Sequence, residues 1–261
     1  MNSDKIYVIP DIHGRDFWHD IKKIEDYEKI IFLGDYVDPY PHEKIPKYKG
    51  LECLEEVINF AKERENVVLL MGNHDSTYMI SNILCECRTD YLNFNRIKKL
   101  FRDNKDMFKL AYYVETEQSP VVFTHAGLFM DWLKKCEISV EENQEIVNEL
   151  NNRFSELLNE LYDDKDEISC FQNNSLFKAL GMFSYYRGGM LLHGSCIWSD
   201  IREHAYTVNE NEKLNAFQVV GHTMLDTGNI IKLPNIACVD SKKVWCLKDI
   251  FDANLIIKKA C

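Results

Sequence analysis

The chain has 261 residues, of which 46% are hydrophobic and 28% charged, with a formal net charge of −11. That length allows one large domain or two small ones, and no apolar run approaches the ~18 residues that cross a bilayer. The acidic balance argues against broad electrostatic binding to nucleic acid or to an anionic membrane. An anionic substrate would need a local cation against this field, which points to bound metal.

The N-terminus, MNSDKIYVIP, lacks the layout of a signal peptide. Nine cysteines are scattered without a CxxC; the only close pair is Cys85 and Cys87, and Cys261 at the last position forms no prenylation box. Such a set reads as reduced thiols, so a cytoplasmic protein is expected.

The first apolar run, Ile6–Pro10, is followed by Asp11-Ile12-His13-Gly14. After a helical stretch over Phe17–Glu25 comes a second run, Ile30–Gly34, leading into Asp35, Asp38 and then Pro39-Tyr40. A second helical stretch, Leu51–Glu65, precedes the run Val67–Met71 and the segment Gly72-Asn73-His74-Asp75. Val121–Thr124 leads into His125-Ala126-Gly127. Phe217–Gly221 leads into His222-Thr223, and Ile236–Asp240 and Val244–Leu247 follow. Short continuous apolar runs predict strands covered on both faces, and their alternation with helices predicts an α/β layered fold.

The middle of the chain differs. Ser139 followed by Glu142 fits a capping box, and Ile146, Leu150, Phe154, Leu157, Leu158 and Leu161 recur at helical spacing. Residues 130–195 are therefore expected to form a helical insertion or lid within a single domain spanning 1–261.

Five strands thus end in a metal-type ligand beside a glycine. Each piece alone is weak, since Asp-x-His and Gly-Asp also occur by chance or in turns. Together they stand at the carboxyl ends of strands, where open α/β sheets build sites. Asp11 and His13, two apart in an extended segment, project to one side and can grip one ion. Asp35 has two oxygens and can bridge two. Asn73 offers an amide oxygen, and His125 and His222 offer imidazole nitrogens. Carboxylate, amide and imidazole donors suit Mn, Fe or Zn better than Ca.

The ordered set DIHG, GDYVD, GNHD, HAG and GHT resembles the metallophosphoesterase (calcineurin-like) superfamily. Within it, the chain is most similar to the phosphoprotein phosphatase branch, which includes protein serine/threonine phosphatases and bacterial diadenosine tetraphosphatases. The segment IWSD at 197–200 resembles a tryptophan-containing part of that branch. The resemblance implies a four-layer α/β/β/α sandwich of two mixed sheets. It implies that Asp11, His13 and Asp35 hold one divalent ion, and that Asp35, Asn73, His125 and His222 hold a second. It further implies hydrolysis of a phosphate ester by in-line attack of a metal-bridging hydroxide, with His74 as acid for the leaving group and Asp38 as its carboxylate partner.

The branch usually continues the second motif with Arg-Gly, and that arginine helps bind phosphate. Here Pro39-Tyr40 stands in its place. Arg187, beside Gly188 and Gly189, is the first candidate to replace it; Arg202 and Arg15 follow. Trp198, Tyr185 and Tyr186 are candidates to line a pocket or to fill the core. His19, His42, His193 and His204 carry no motif and are expected to be structural or exposed. The expected substrate is a nucleotide or small phosphomonoester. A protein phosphatase, a nuclease and a non-catalytic regulatory protein on the same fold stay open as alternatives.

Overall fold

The computed structural model describes residues 1–81, 84, 88–162, 167–207 and 213–255. Cys85, Cys87, Cys261 and residues 163–166 of the expected insertion lie outside these.

The strands are β1 (Ile6–Ile9), β2 (Lys29–Phe32), β3 (Val67–Leu70), β4 (Phe108–Lys109), β5 (Ala111–Glu115), β6 (Pro120–Thr124), β7 (Phe217–Val220), β8 (Ile231–Leu233), β9 (Ile236–Cys238) and β10 (Trp245–Cys246). They form two sheets, ordered β10-β1-β2-β3-β4 and β5-β6-β7-β9-β8. In the first, β1 to β4 are parallel and β10 is antiparallel. In the second, β6, β7 and β9 are parallel, flanked by antiparallel β5 and β8. Both sheets are mixed, as expected.

The α-helices are α1 (Tyr48–Lys62), α2 (Asn73–Met79), α3 (Phe94–Asp103), α4 (Met130–Lys135), α5 (Asn143–Tyr162), α6 (Glu167–Asn173), α7 (Ser175–Leu180), α8 (Ile201–Tyr206) and α9 (Leu247–Asp252). None among the described residues is long and apolar enough to cross a membrane.

Alternation along each strand sorts side chains into layers. Ile6, Val8, Ile31, Leu33, Val68 and Leu70 of the first sheet meet Val121, Phe123, Phe217 and Val219 of the second in one apolar cluster. Their neighbours Ile9, Ile30, Phe32 and Leu69 point the other way, onto Leu54, Val57 and Ile58 of α1. On the far side of the second sheet, α5 packs on β5 and β6, and Ile201 of α8 joins Val220, Ile236 and Cys238. The result is the four-layer α/β/β/α sandwich. Double coverage explains why the central strands read as continuous apolar runs.

Phe17–Lys23 is helical, as expected, with 3₁₀ geometry. One local expectation is corrected. The long central helix starts at Asn143, with Ile146 N–H donating to the Glu142 carbonyl at 2.9 Å, so Ser139 is not its cap. The apolar face of α5 is as read, with Ile146, Leu150, Phe154, Leu157 and Leu158 buried.

Candidate metal centre

Asp35 is the hub of the loops that follow the strands. Its backbone is left-handed, at φ 54°, as are His13 (47°), Asp38 (58°) and His222 (63°). Such backbone costs about 1–3 kcal/mol per residue and persists only where surrounding structure enforces it. The enforcing bonds are visible. The Asp35 carbonyl accepts the amides of Ile12 (3.0 Å) and His13 (2.8 Å), tying the first loop to the second. The buried Asp75 carboxyl accepts the amides of Asp35 (2.7 Å), Tyr36 (3.0 Å) and Gly72 (2.9 Å), tying the second loop to the third.

Asp35 Oδ1 accepts the His74 amide at 2.8 Å. Oδ2 faces imidazoles instead, 3.4 Å from His13 Nε2 and 3.6 Å from His125 Nε2. His13 Nδ1 lies 2.7 Å from the Val37 carbonyl, and His125 Nδ1 lies 2.8 Å from the Leu33 carbonyl. A carbonyl only accepts, so each ring carries a proton on Nδ1 and presents a lone pair at Nε2. Asn73 Oδ1 sits 3.0 Å from both His125 Nε2 and His222 Nδ1, which are 3.1 Å apart. His13 Nε2 is buried without a hydrogen-bond partner among the described residues.

Electron pairs thus converge on a buried space, and a cation satisfies such a set. Among the described residues, two overlapping groups have ligand atoms within 4.8 Å of one another: His13, Asp35 and His74, and Asp35, His125 and His222. Asp35 belongs to both. Carboxylate, amide and imidazole donors fit a transition metal or zinc, so the residues present match a metal centre. His74 is engaged otherwise. Its Nδ1 is 2.9 Å from Asp38 Oδ2, and its Nε2 is 2.9 Å from a guanidinium nitrogen of Arg88.

Electrostatics agree with geometry. Burial works to raise the Asp35 carboxyl, but the pull of His125, His74 and His13 in their charged forms, with the His74 amide, holds it below the ordinary value. Burial, more than any neighbouring charge, pushes His13 and His222 well below the ordinary imidazole value, which keeps their lone pairs available. Burial also raises Asp11, against the opposing pull of His125. Asp11 accepts the His222 amide on both oxygens at 3.1 Å, so the first and fifth loops are joined.

Two glycines make this closeness possible. A Cβ on Gly72 would stand 2.2 Å from Asp35 Oδ1, and one on Gly221 would stand 2.2 Å from Asp11 Oδ1. Neither position tolerates a side chain while the carboxylates stay in place.

Asp38 links His74 to Tyr78, whose hydroxyl donates to Asp38 Oδ1 at 2.5 Å. Burial raises the Asp38 carboxyl, while the His74 and Tyr78 contacts pull it down.

The arginines expected to replace the one absent at Pro39 fall in different places. Arg187 reaches Thr223 Oγ1 at 3.0 Å, next to His222, with its Nε 3.0 Å from Asp200. Arg202 forks onto Asp200 at 2.8 and 2.9 Å and is half exposed. Arg15 is buried against the Asp11 carbonyl (3.1 Å) and pairs with Glu43 (2.7 Å). Trp198 stands edge-on to His222 with centroids 5.6 Å apart, whereas Tyr185 is exposed. His42 is exposed and His19 is half-buried. His193 and His204 are buried and stack on Phe129.

Four residues in this network escaped sequence reasoning. Asp75 and Tyr78 lie within α2 and act through loops distant in sequence. Asp240 follows β9 and is buried beside Asp11; burial, then the Asp11 charge, raise its carboxyl well above the ordinary value. The strand-end position of Asp240 was the available signal. Arg88 lies in no motif and carried no signal.

Residues 4–226 match the family described as calcineurin-like phosphoesterase. The fold is similar to that of a cold-active protein-tyrosine phosphatase from a psychrophilic Shewanella species, with a TM-score of 0.56 at 16% identity, over 90% of this chain and 70% of that one. At that identity the likeness is one of fold. Shorter matches occur to the phenylalanine–tRNA ligase beta subunits of Borrelia hermsii (33% identity over 36% of this chain) and Borrelia turicatae (32% over 41%). They cover only 15% and 17% of the lengths of those subunits. With the family match spanning all five strand-end loops, the chain belongs to the calcineurin-like phosphoesterase family.

Proposed function

We propose that the protein hydrolyses a nucleotide or small phosphomonoester at a centre that takes two divalent ions, Mn, Fe or Zn. The observation that carries this reading is Asp35 Oδ2, which faces His13 Nε2 at 3.4 Å and His125 Nε2 at 3.6 Å. Asp11, His13 and Asp35 would hold one ion, and Asp35, Asn73, His125 and His222 the other. When bound, the ions supply an acidified water as nucleophile and positive charge for the phosphoryl oxygens.

The chain's own groups do the rest. His74 offers a proton at Nε2 to the leaving oxygen. Asp38, 2.9 Å from Nδ1, orients the ring and favours its protonated form. Tyr78 fixes Asp38 in turn. Arg187, beside His222, is placed to meet substrate at the rim; Arg202 would first have to release Asp200. The net charge of −11 supports a small substrate over a nucleic acid.

Helices α4, α5 and α7 bury Trp132, Leu150 and Phe177 in the same cluster as Ile9 and Phe32. That supports one domain with a helical insertion over 130–195. Among the described residues the cysteines are free and mostly buried, which supports a reducing, cytoplasmic setting.

The test is turnover of metal-loaded protein on dinucleoside polyphosphates, nucleotides, phosphopeptides and cyclic nucleotides. Asp35→Asn should abolish activity, and His74→Asn should slow it strongly with metal retained. Full activity in both variants would overturn the mechanism.

A further inference from the structure

We infer that Arg88 binds the phosphoryl oxygens of the substrate and that Tyr40 is the platform that holds it there. The inference rests on the phosphoesterase reading and adds a residue to it.

Arg88 reaches the centre from a segment with no motif. One terminal nitrogen lies 2.9 Å from His74 Nε2, and its Nε donates to the Asp38 carbonyl at 3.2 Å. The guanidinium carbon lies 3.7 Å from the centroid of the Tyr40 ring. Tyr40 packs edge-on against His13, with centroids 4.8 Å apart. One aromatic plate therefore touches a residue of the metal centre and carries a cation on its face. Pro39-Tyr40 places no cation in the second loop, but it supplies the surface on which a cation from elsewhere rests.

The segment is anchored to the same network. Tyr78 OH accepts the Asp90 amide at 2.7 Å and donates to Asp38 at 2.5 Å. Lys47 Nζ donates to the Thr89 carbonyl at 2.9 Å. Arg88 itself is held left-handed, at φ 63°.

Charge balance singles Arg88 out. Arg187 and Arg202 share Asp200, and Arg15 pairs with Glu43. Arg88 meets only neutral acceptors among the described residues, a carbonyl and an imidazole nitrogen. A guanidinium fork matches two phosphoryl oxygens far better than one imidazole lone pair. On binding, the donor at His74 Nε2 turns to a phosphoryl oxygen, which frees the Nε2 lone pair to take a proton from solvent; that N–H then faces the leaving group.

The test is calorimetric titration of metal-loaded protein with inorganic phosphate, alongside KM for para-nitrophenyl phosphate. Arg88→Ala should weaken phosphate binding about 10- to 100-fold and raise KM comparably, with bound metal unchanged. Arg88→Lys, which keeps the charge and loses the fork, should fall between; it also serves if the alanine variant does not fold. Tyr40→Leu should bind phosphate more weakly than the parent, and Tyr40→Phe, which keeps the aromatic face, should bind it more tightly than Tyr40→Leu. Parental phosphate affinity in Arg88→Ala overturns the role of Arg88 alone. Metal-loaded parent protein that takes no phosphate overturns the phosphoesterase reading and this inference with it.

Discussion

Asp75 Oδ2 accepts the backbone amide of Asp35 at 2.7 Å, across 40 residues of chain. The same carboxyl takes the amides of Tyr36 and Gly72. It is the clamp that holds Asp35 in its left-handed backbone and so aims Oδ2 at the imidazoles. Asp75→Ala leaves three buried donors without an acceptor. It should lose about 3 kcal/mol or more of stability, read as a lower denaturant midpoint, and should purify with less metal. Asp75→Asn keeps one acceptor oxygen and should lose less. Unchanged stability in the alanine variant would mean that Asp75 is not the clamp.

Gly72 lies under the Asp35 carboxylate, and an added Cβ would come within 2.2 Å of Oδ1 and 2.5 Å of the Asp35 amide nitrogen. The backbone has no slack there, since Gly72 is also bonded to Asp75. Gly72→Ala should displace Asp35 and deplete bound metal, measured by elemental analysis, while circular dichroism stays near the parental spectrum. Full metal content would show that the loops can shift to accept the methyl group.

Tyr78 connects Asp38 to the Asp90 amide through one hydroxyl. Tyr78→Phe removes both bonds and leaves two buried polar groups short of a partner. A loss of about 1–3 kcal/mol is expected. Because Asp38 then orients His74 less firmly, kcat should fall with metal content retained. Parental kcat in this variant would separate Tyr78 from the His74 network.

Asp200 gives the pH dependence a sign. Burial would raise its carboxyl, but the Arg202 side chain and amide, followed by the Arg187 charge, outweigh that and hold it below the ordinary value. A carboxyl depressed in the folded state stabilises the protein above its unfolded value, about 3.9. That contribution disappears as pH falls through the folded value. Asp200→Asn should therefore narrow the gap in unfolding free energy between pH 7 and the acid limb. An unchanged acid limb would mean that the pairing with Arg202 contributes nothing.

The central strands were legible because their signal is local. Ile6–Ile9, Lys29–Phe32, Val67–Leu70 and Phe217–Val220 are buried on both faces and read as apolar runs. The strands that sequence reasoning missed are marginal ones. Ile231–Leu233 has no fully buried residue, Phe108–Lys109 has two residues, and Ala111–Glu115 buries only Ala111 and Val114. The 3₁₀ geometry of Phe17–Lys23 and the late start of the helix at Asn143 are boundary effects that spacing does not encode.

By itself the sequence determined the candidate donors. Asp11, His13, Asp35, Asn73, His125 and His222 stand beside turn glycines at the ends of apolar runs, and strand, turn and ligand type are all readable over a few residues. Only the tertiary structure decided what holds and complements them. Asp75 acts on Asp35, Tyr78 on Asp38, and Arg88 on His74 and Tyr40, through hydrogen bonds and ring contacts that span 14 to 48 positions. No local pattern records such pairs, because each depends on two loops meeting in space, so the cation at the centre had to be found by geometry rather than by motif.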